Sequence, residues 1–224
     1  MHESSTKVAV LVSGGLDSAV LVADLVRQGQ QVTPIFIRAG LQWEELEQTY
    51  LRKFLGAIAQ PNLHKLVVLE QPLGDLYGEH WSLTGRDVPD AESPDAAVYL
   101  PGRNLMLLLK AMLWCHLQRM PRIALAVLRA NPFPDASEEF FKLLAAAVNT
   151  GVGDKLVIER PFVGLAKAEV IARAAGLPLE WTFSCLQPVR GLHCGACNKC
   201  AERRTGFRMA GRSDPTNYVH SQER

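Results

Sequence analysis

The sequence predicts an α/β protein with a doubly wound parallel sheet and a C-terminal zinc-binding segment. Short apolar runs alternate with segments of helical periodicity up to about residue 180. A glycine-rich loop separates the first apolar run from the first helical segment, and four cysteines follow residue 180. Strands that alternate with helices form right-handed crossovers, which place a parallel sheet between two layers of helices.

The predicted strands are short apolar runs, as expected for strands buried on both faces. They cover residues 8–12, 32–37, 65–69, 123–127 and 156–158. The predicted helices cover residues 17–28, 44–55, 105–118, 138–148 and 167–175. Gly29, Gly56 and Gly176 stand where three of these helices should end. The most hydrophobic stretch, 105–114, predicts a buried helix.

Two regions lack this alternation. Residues 71–102 are rich in proline and glycine and carry six acids against one arginine. A connection of this length is usually functional, so it is predicted to be either a solvated surface loop or a lid over a site. After residue 181 the periodicity stops and the cysteines begin. We therefore divide the chain into a main domain, 1–180, and an extension, 181–224, that together form one compact unit.

Composition excludes several classes of protein. The 224 residues carry a net charge of +1, which disfavours a protein that coats nucleic acid. No apolar run approaches the roughly 20 residues of a membrane span, and the polar residues 1–7 do not resemble a signal peptide. Five cysteines, an odd number without such a signal, favour a reducing compartment. We expect a cytoplasmic protein.

The loop Ser13-Gly14-Gly15-Leu16-Asp17-Ser18 lies between the first strand and the first helix. Backbone N–H groups there, with the helix N-terminus behind them, form an anion site. Asp17 would repel a phosphate unless a cation lay between them, so its presence predicts Mg²⁺. The loop matches neither the dinucleotide fingerprint nor the Walker motif. The alternative is an ordinary glycine turn with a capping serine or aspartate.

This loop resembles the PP-loop of the ATP pyrophosphatases, a group of amide-forming synthetases and tRNA-modifying enzymes. The resemblance implies a Rossmann-like sheet of the adenine nucleotide alpha hydrolase type. It also implies cleavage of ATP to AMP and pyrophosphate, with a carboxylate or carbonyl oxygen activated as an adenylate. The residues then expected at the nucleotide are Val12, Ser13, Gly14, Gly15, Leu16, Asp17, Ser18, Ala19, Val20, Leu21 and Val22.

The second motif is a cluster of cysteines, Cys185, Cys194, Cys197 and Cys200. Two pairs of thiolates at this spacing suit a structural, tetrahedral zinc ion. An iron–sulfur cluster is the alternative. His193 beside the set is expected to be exposed or to support a ligand, and Cys115 falls on the apolar face of a helix, where a core role is expected.

Three further stretches narrow the resemblance. They are Leu100-Pro-Gly-Arg-Asn104, the segment from Pro161 to Val170, and the tail that runs from Thr182 through the cysteines to Pro215. Together with the loop they resemble the 7-cyano-7-deazaguanine synthase family of the queuosine pathway. The resemblance implies conversion of 7-carboxy-7-deazaguanine and ammonia to the nitrile through an adenylate and an amide. Arg103 and Lys167 become catalytic candidates beside Asp17, although each could instead be a solvated surface residue.

Other interpretations remain open because two segments depart from the family pattern. Residues 39–45 lack its Tyr-Gly-Gln and basic residues, while Arg129, Ala136 and Ser137 replace an acid, a cysteine and an arginine. A related ligase for a different carboxylate is one alternative, and a tRNA sulfur-transferase is another.

A zinc-ribbon binding module is a further alternative, in which a basic patch would meet RNA. The patch comprises Arg190, Lys199, Arg203, Arg204, Arg208 and Arg212. For the ligase, the expected partners are a small carboxylate and ammonia, and a homodimer is the expected assembly. Residue 2 is His rather than Cys, so no built-in glutaminase is expected and ammonia would come from solution or a partner.

Overall fold

The computed structural model describes residues 7–220. The polar N-terminal residues 1–6, for which no targeting segment is predicted, lie outside the described residues. The five strands are β1 (Lys7–Val12), β2 (Gln31–Arg38), β3 (Val67–Glu70), β4 (Arg122–Ala124) and β5 (Val157–Glu159). All neighbouring pairs are parallel and the order is β3-β2-β1-β4-β5. The predicted α/β fold with a parallel sheet is confirmed.

Eight α-helices accompany the strands. They are α1 (Leu16–Arg27), α2 (Glu44–Ala57), α3 (Gly74–Tyr77), α4 (Trp81–Thr84), α5 (Arg103–Leu117), α6 (Glu138–Val152), α7 (Lys167–Arg173) and α8 (Asn198–Met209). One core cluster joins the sheet to α1, α2 and α7, and a second joins it to α5 and α6. The sheet is therefore covered on both faces, as the continuous apolar strands predict.

The prediction that periodic structure ends after residue 181 is wrong. Helix α8 runs for 12 residues through the end of the cysteine motif. Its buried residues include Asn198, Cys200, Arg203 and Gly206, and Phe207 is the one large apolar member. Because most buried residues of this helix are polar or small, the sequence shows no hydrophobic periodicity there.

The prediction that residues 105–114 form a buried helix is also wrong in part. Helix α5 buries Leu108, Ala111, Met112 and Cys115. Its opposite face is an apolar stripe of four leucines at intervals of four residues. They are Leu105, Leu109, Leu113 and Leu117, exposed by 41%, 39%, 39% and 74%.

The segment 71–102 is neither a bare surface loop nor a free lid. It contains α3, α4 and the 3₁₀ turn Asp95–Val98, and it packs against the C-terminal extension that begins at residue 181, which we call the cysteine segment. Asn198 N donates to Pro89 O over 3.0 Å, and Asn198 Nδ2 donates to Ser93 O over 2.8 Å. Within residues 7–220 no helix is long and apolar enough to cross a membrane.

Candidate active site

The loop 13–18 lies at the carboxyl end of β1, where the order of the sheet reverses. Strands β2 and β3 extend to one side of β1, and β4 and β5 extend to the other. Crossovers on the two sides run in opposite directions, so a crevice opens at this switch point. The structure thus places the predicted loop where an open α/β sheet binds its ligands.

Short contacts hold the loop in a tight turn. Gly14 has φ of +78°, and a Cβ there would lie 2.6 Å from the carbonyl oxygen of Glu47. Glycine is the one residue that fits both the conformation and the space. Ser18 Oγ donates to Gly15 O over 3.1 Å, and Phe183 N donates to Gly14 O over 2.8 Å. The cysteine segment is therefore hydrogen-bonded directly to the loop.

A chain of alternating charges crosses the crevice. Lys167 Nζ contacts Asp17 Oδ2 at 2.6 Å and Glu202 Oε1 at 3.0 Å, while Lys199 Nζ contacts Glu202 Oε2 at 2.6 Å. Burial alone would lower the pKa of Lys167, but the charges of Asp17 and Glu202 outweigh it and raise the pKa. The charge of Lys167 lowers the pKa of Glu202 to about 2. Lys167 is therefore held as a cation beside the loop.

Two adjoining cavities flank the loop. The loop cavity lies towards the cysteine segment, and its lining includes Lys167, Phe183, Ser184, Lys199 and Glu202. The strand cavity lies over the carboxyl ends of β1, β2 and β4, and its lining includes Val12, Phe36, Ile37 and Ala126. The lining residues shared by both are Ser13, Gly15, Asp17, Glu47 and Arg103.

Arg103 begins α5 and lines a third cavity as well. This aromatic cavity is lined by Tyr99 and Phe133, whose rings stack at 4.9 Å, and by Asn131 and Asp135. Arg103 Nε is buried without a hydrogen-bond partner among residues 7–220. A guanidinium at the meeting point of three cavities can bind an anion in any of them.

Glu47 carries the most unusual carboxyl group of the site. It is 8% exposed and lies on the buried face of α2 with Leu51 and Phe54. Burial raises its pKa to about 8, although the charge of Arg103 and a hydrogen bond from Trp43 act in the opposite direction. A carboxyl group whose pKa lies this close to neutrality can both accept and release a proton at physiological pH.

The four predicted zinc ligands lie together. The sulfurs of Cys185, Cys194, Cys197 and Cys200 are all within 4.8 Å of one another, and all four residues are buried. The Cys194–Cys200 and Cys185–Cys197 sulfur distances are 3.9 and 4.0 Å. Tetrahedral zinc with bonds of about 2.3 Å requires sulfurs about 3.8 Å apart. Backbone N–H groups of Cys194, Ala196 and Leu186 point at the sulfurs, so the cluster fits zinc.

Comparison with known proteins decides the family. The model of the family described as queuosine biosynthesis protein QueC matches residues 7–211. The chain belongs to the QueC family. A relative from Thiobacillus denitrificans named 7-cyano-7-deazaguanine synthase is 34% identical over 94% of this chain and 97% of its own. Another of that name, from Syntrophobacter fumaroxidans, is 31% identical over 97% and 98%.

A solved structure shares the fold of this QueC-family chain. It is described as a predicted subunit of tRNA methyltransferase from Methanocaldococcus jannaschii. The TM-score is 0.50 at 18% identity, with 92% of this chain and 88% of the other covered. At that identity the likeness concerns the fold alone.

The structure brings most of the predicted site residues together. Val12, Ser13, Gly15, Leu16, Asp17 and Ser18 line the cavities with Arg103 and Lys167. The side chains of the next four residues, Ala19, Val20, Leu21 and Val22, lie in the core, so contact between them and a nucleotide stays a prediction. His193 is buried rather than exposed, and its Nε2 accepts from Ser184 N over 3.2 Å. Cys115 lies in the core as expected.

Sequence reasoning missed Glu47, Lys199 and Glu202. Glu47 follows Trp43 by four residues and precedes Leu51 by four, so its helical spacing places it on the buried face. That spacing is a usable signal for a buried acid. No comparable signal exists for Lys199 and Glu202, which reach the crevice only because the cysteine segment folds against α7.

The departures from the family pattern fall in different places. Arg129 lies at the surface, where it pairs with Glu169 at 3.8 Å, and Ser137 caps α6 by accepting from Phe140 N. Leu41, however, lines the strand cavity, and Trp43 lines the loop cavity.

Part of the predicted basic patch forms hydrogen bonds within the chain. Arg203 donates to Thr182 Oγ1, and Arg204 donates to the backbone oxygens of Gly195 and His220.

Proposed function

We propose that this QueC-family chain converts 7-carboxy-7-deazaguanine and ammonia to 7-cyano-7-deazaguanine with ATP as the activating substrate. The observation that carries the proposal is the meeting of the PP-loop, Lys167 and Arg103 around adjoining cavities at the switch point of the sheet. Full-length relatives named 7-cyano-7-deazaguanine synthase support the choice of reaction.

ATP would lie across the two cavities that flank the loop. We assign the adenosine to the strand cavity, whose apolar walls suit a base, and the pyrophosphate to the loop amides and Lys167. Asp17 Oδ1 is buried without a hydrogen-bond partner within residues 7–220, which suits Mg²⁺ held by this carboxylate. The metal would neutralise charge on the leaving pyrophosphate.

The deazaguanine ring would occupy the aromatic cavity. Tyr99 and Phe133 offer flat surfaces for the ring, while Asn131 and Asp135 offer hydrogen bonds to its edges. A ring in this cavity directs its carboxylate towards Arg103. The guanidinium would then hold both the carboxylate and the α-phosphate, which must approach each other against their mutual repulsion.

The chemistry needs two activations. In the first, the substrate carboxylate attacks the α-phosphorus, pyrophosphate leaves, and an acyl-adenylate forms. Ammonia then displaces AMP to give the amide and one proton. In the second, the amide oxygen attacks another ATP, pyrophosphate leaves again, and loss of AMP and of both protons of the amide nitrogen gives the nitrile.

The cysteine segment would have a structural role. Zinc bound by Cys185, Cys194, Cys197 and Cys200 would fix the wall that carries Ser184, Lys199 and Glu202. Phe207 of this segment lies in the main core, which supports one compact unit of 1–180 and 181–224. We also propose a homodimer through the leucine stripe of α5, and a cytoplasmic location that keeps the five cysteines, none of which forms a disulfide, reduced.

A second candidate function is a ligase for a different carboxylate. The observation that favours it is the position of Leu41 and Trp43, which line the two ATP-side cavities and belong to a stretch that departs from the family pattern. Such changes alter which substrate groups the site can pair. The test below separates the two functions.

The test is mass spectrometry of reactions that contain 7-carboxy-7-deazaguanine, Mg-ATP and ammonium. We expect nitrile, AMP and pyrophosphate, with nitrile formation lowered about 10³-fold or more in Asp17→Asn because phosphate neutralisation is lost. Asp24→Asn on the same helix, which faces Arg173 instead, is the matched control and should retain activity. Accumulated amide or no AMP from this carboxylate would favour the second candidate.

A further inference from the structure

We propose that Glu47 is the catalytic proton acceptor for the amine nucleophile in the amide-forming step. The inference rests on the proposed function and adds a residue and a role to it. The carboxyl group of Glu47 lies between the two cavities, and the other carboxyl groups of their lining within residues 7–220 are paired with cations.

Glu47 lies where the acyl-adenylate must meet its nucleophile. It lines both the loop cavity and the strand cavity, together with Arg103 and the PP-loop. Its backbone oxygen lies against Gly14, so the turn of the PP-loop fixes its position relative to the phosphates. A carboxyl held on a helix by Leu51 and Phe54 has little freedom to leave the crevice.

The other carboxyl groups that line the two cavities form ion pairs with lysine or arginine side chains. Asp17 and Glu202 pair with Lys167 at 2.6 and 3.0 Å, and Glu44 pairs with Arg38 at 3.2 Å. Glu44 also accepts from the backbone N–H groups of Ala39 and Gly40. Among the described residues of this lining, Glu47 is the carboxyl without an ion pair within 4 Å, so it remains available to a proton.

The charged surroundings of Glu47 come from several elements. Glu44 lies on its own helix, and the groups that face it across the cavities are Asp17 of α1, Arg103 of α5, Lys167 of α7, and Lys199, Glu202 and Arg203 of α8. Burial and Glu44 raise the pKa of Glu47 to about 8, against the effect of Arg103. A general base is most effective when its pKa lies near the working pH.

The proposed step is balanced in atoms and charge. An ammonium ion enters the crevice and gives one proton to the ionised Glu47 carboxylate. The nitrogen lone pair then forms the C–N bond to the acyl carbon as the C–O bond to AMP breaks. The second proton lost on amide formation passes to AMP or to water, and Glu47 later returns its proton to solvent.

The test compares two nucleophiles on the same sample. Hydroxylamine is a much weaker base than ammonia and is unprotonated at neutral pH, so it needs no proton acceptor to become nucleophilic. We expect Glu47→Gln to lower ammonia-dependent amide formation about 10²-fold or more at pH 7.5 while hydroxamate formation changes by less than about threefold. The deficit with ammonia should shrink as pH rises and free ammonia accumulates.

Controls separate this role from a structural one. Glu45→Gln, on the exposed side of the same helix, should leave both rates unchanged. The ratio of the two rates does not depend on the fraction of folded enzyme, and Glu47→Asp, which keeps a carboxyl, should recover part of the ammonia rate. Equal losses with both nucleophiles, or an unchanged ammonia rate, would overturn the proposal.

Pyrophosphate exchange distinguishes failure of the proton-acceptor role of Glu47 from failure of the proposed function. If wild-type enzyme exchanges labelled pyrophosphate into ATP in the presence of 7-carboxy-7-deazaguanine, the adenylating function stands whatever Glu47 does. If Glu47→Gln loses exchange or requires more Mg²⁺, Glu47 serves ATP binding and the base role is wrong. Absence of exchange in wild type would reject the proposed function itself.

Discussion

At the residue scale, three charged side chains of the crevice pair with one another. Asp17, Lys167 and Glu202 form contacts of 2.6 and 3.0 Å, so each of these partly buried ions has a partner. Binding of ATP with Mg²⁺ would exchange these contacts for phosphate and metal contacts. The loop was predictable because its residues are consecutive, whereas the pairing of residues 17, 167 and 202 is a product of the fold.

Glu47 makes a testable contribution to stability. Its pKa rises from 4.5 to about 8 on folding, so the folded protein keeps a proton that the unfolded chain loses. The contribution of Glu47 to the free energy of unfolding is fully present below about pH 4.5 and is lost as pH rises through about 8. The loss is on the order of a few kcal/mol. Urea unfolding from pH 5 to 9 should show that Glu47→Gln flattens the decline seen in wild type. Parallel curves for the two proteins would contradict this.

At the element scale, the cysteine segment completes a site that the sheet alone leaves open. Phe183 bonds to the loop, and α8 carries Lys199 and Glu202 to α7. Gly206 allows the close approach, because a Cβ there would lie 2.6 Å from Cγ of Lys167. The spacing of the cysteines predicted that they cluster, but the sequence did not predict α8, because the buried face of this helix is polar.

Removal of zinc should therefore disturb the ATP site as well as the segment. We expect one zinc per chain by elemental analysis, and a strong chelator should lower the melting temperature by on the order of 10 °C and weaken ATP binding. Cys197→Ala should lose the metal, whereas Cys115→Ala, in the core of α5 and β4, should retain it. Iron in the protein, with a broad visible absorbance band, would show that the cluster is not a zinc site.

At the scale of the whole molecule, the parallel sheet was predictable because alternating apolar runs and helices allow few other arrangements. The strand order and the three cavities around Arg103 were not, because they depend on contacts between residues far apart in the chain. The exposed apolar face of α5 was not predictable from the sequence either. The apolar run 105–114 predicts core residues, because composition cannot tell a core face from an exposed apolar stripe.

The leucine stripe predicts the assembly. A self-complementary row on one helix suits a twofold interface in which α5 packs against its copy. Leu109→Glu combined with Leu113→Glu should convert a dimer to a monomer in sedimentation measurements at micromolar concentration. Leu76→Glu, at a leucine that is 62% exposed in α3, is the matched control and should remain dimeric. A monomeric wild type would reject this interface.

The proposed reaction transfers the oxygen of a carboxylate to AMP at the PP-loop. The most direct measurement uses 7-carboxy-7-deazaguanine labelled with oxygen-18 in both carboxylate oxygens, with mass analysis of the AMP and the nitrile. We expect two AMP for each nitrile, each AMP carrying one labelled oxygen. Unlabelled AMP, or ADP in its place, would show that this oxygen transfer does not occur.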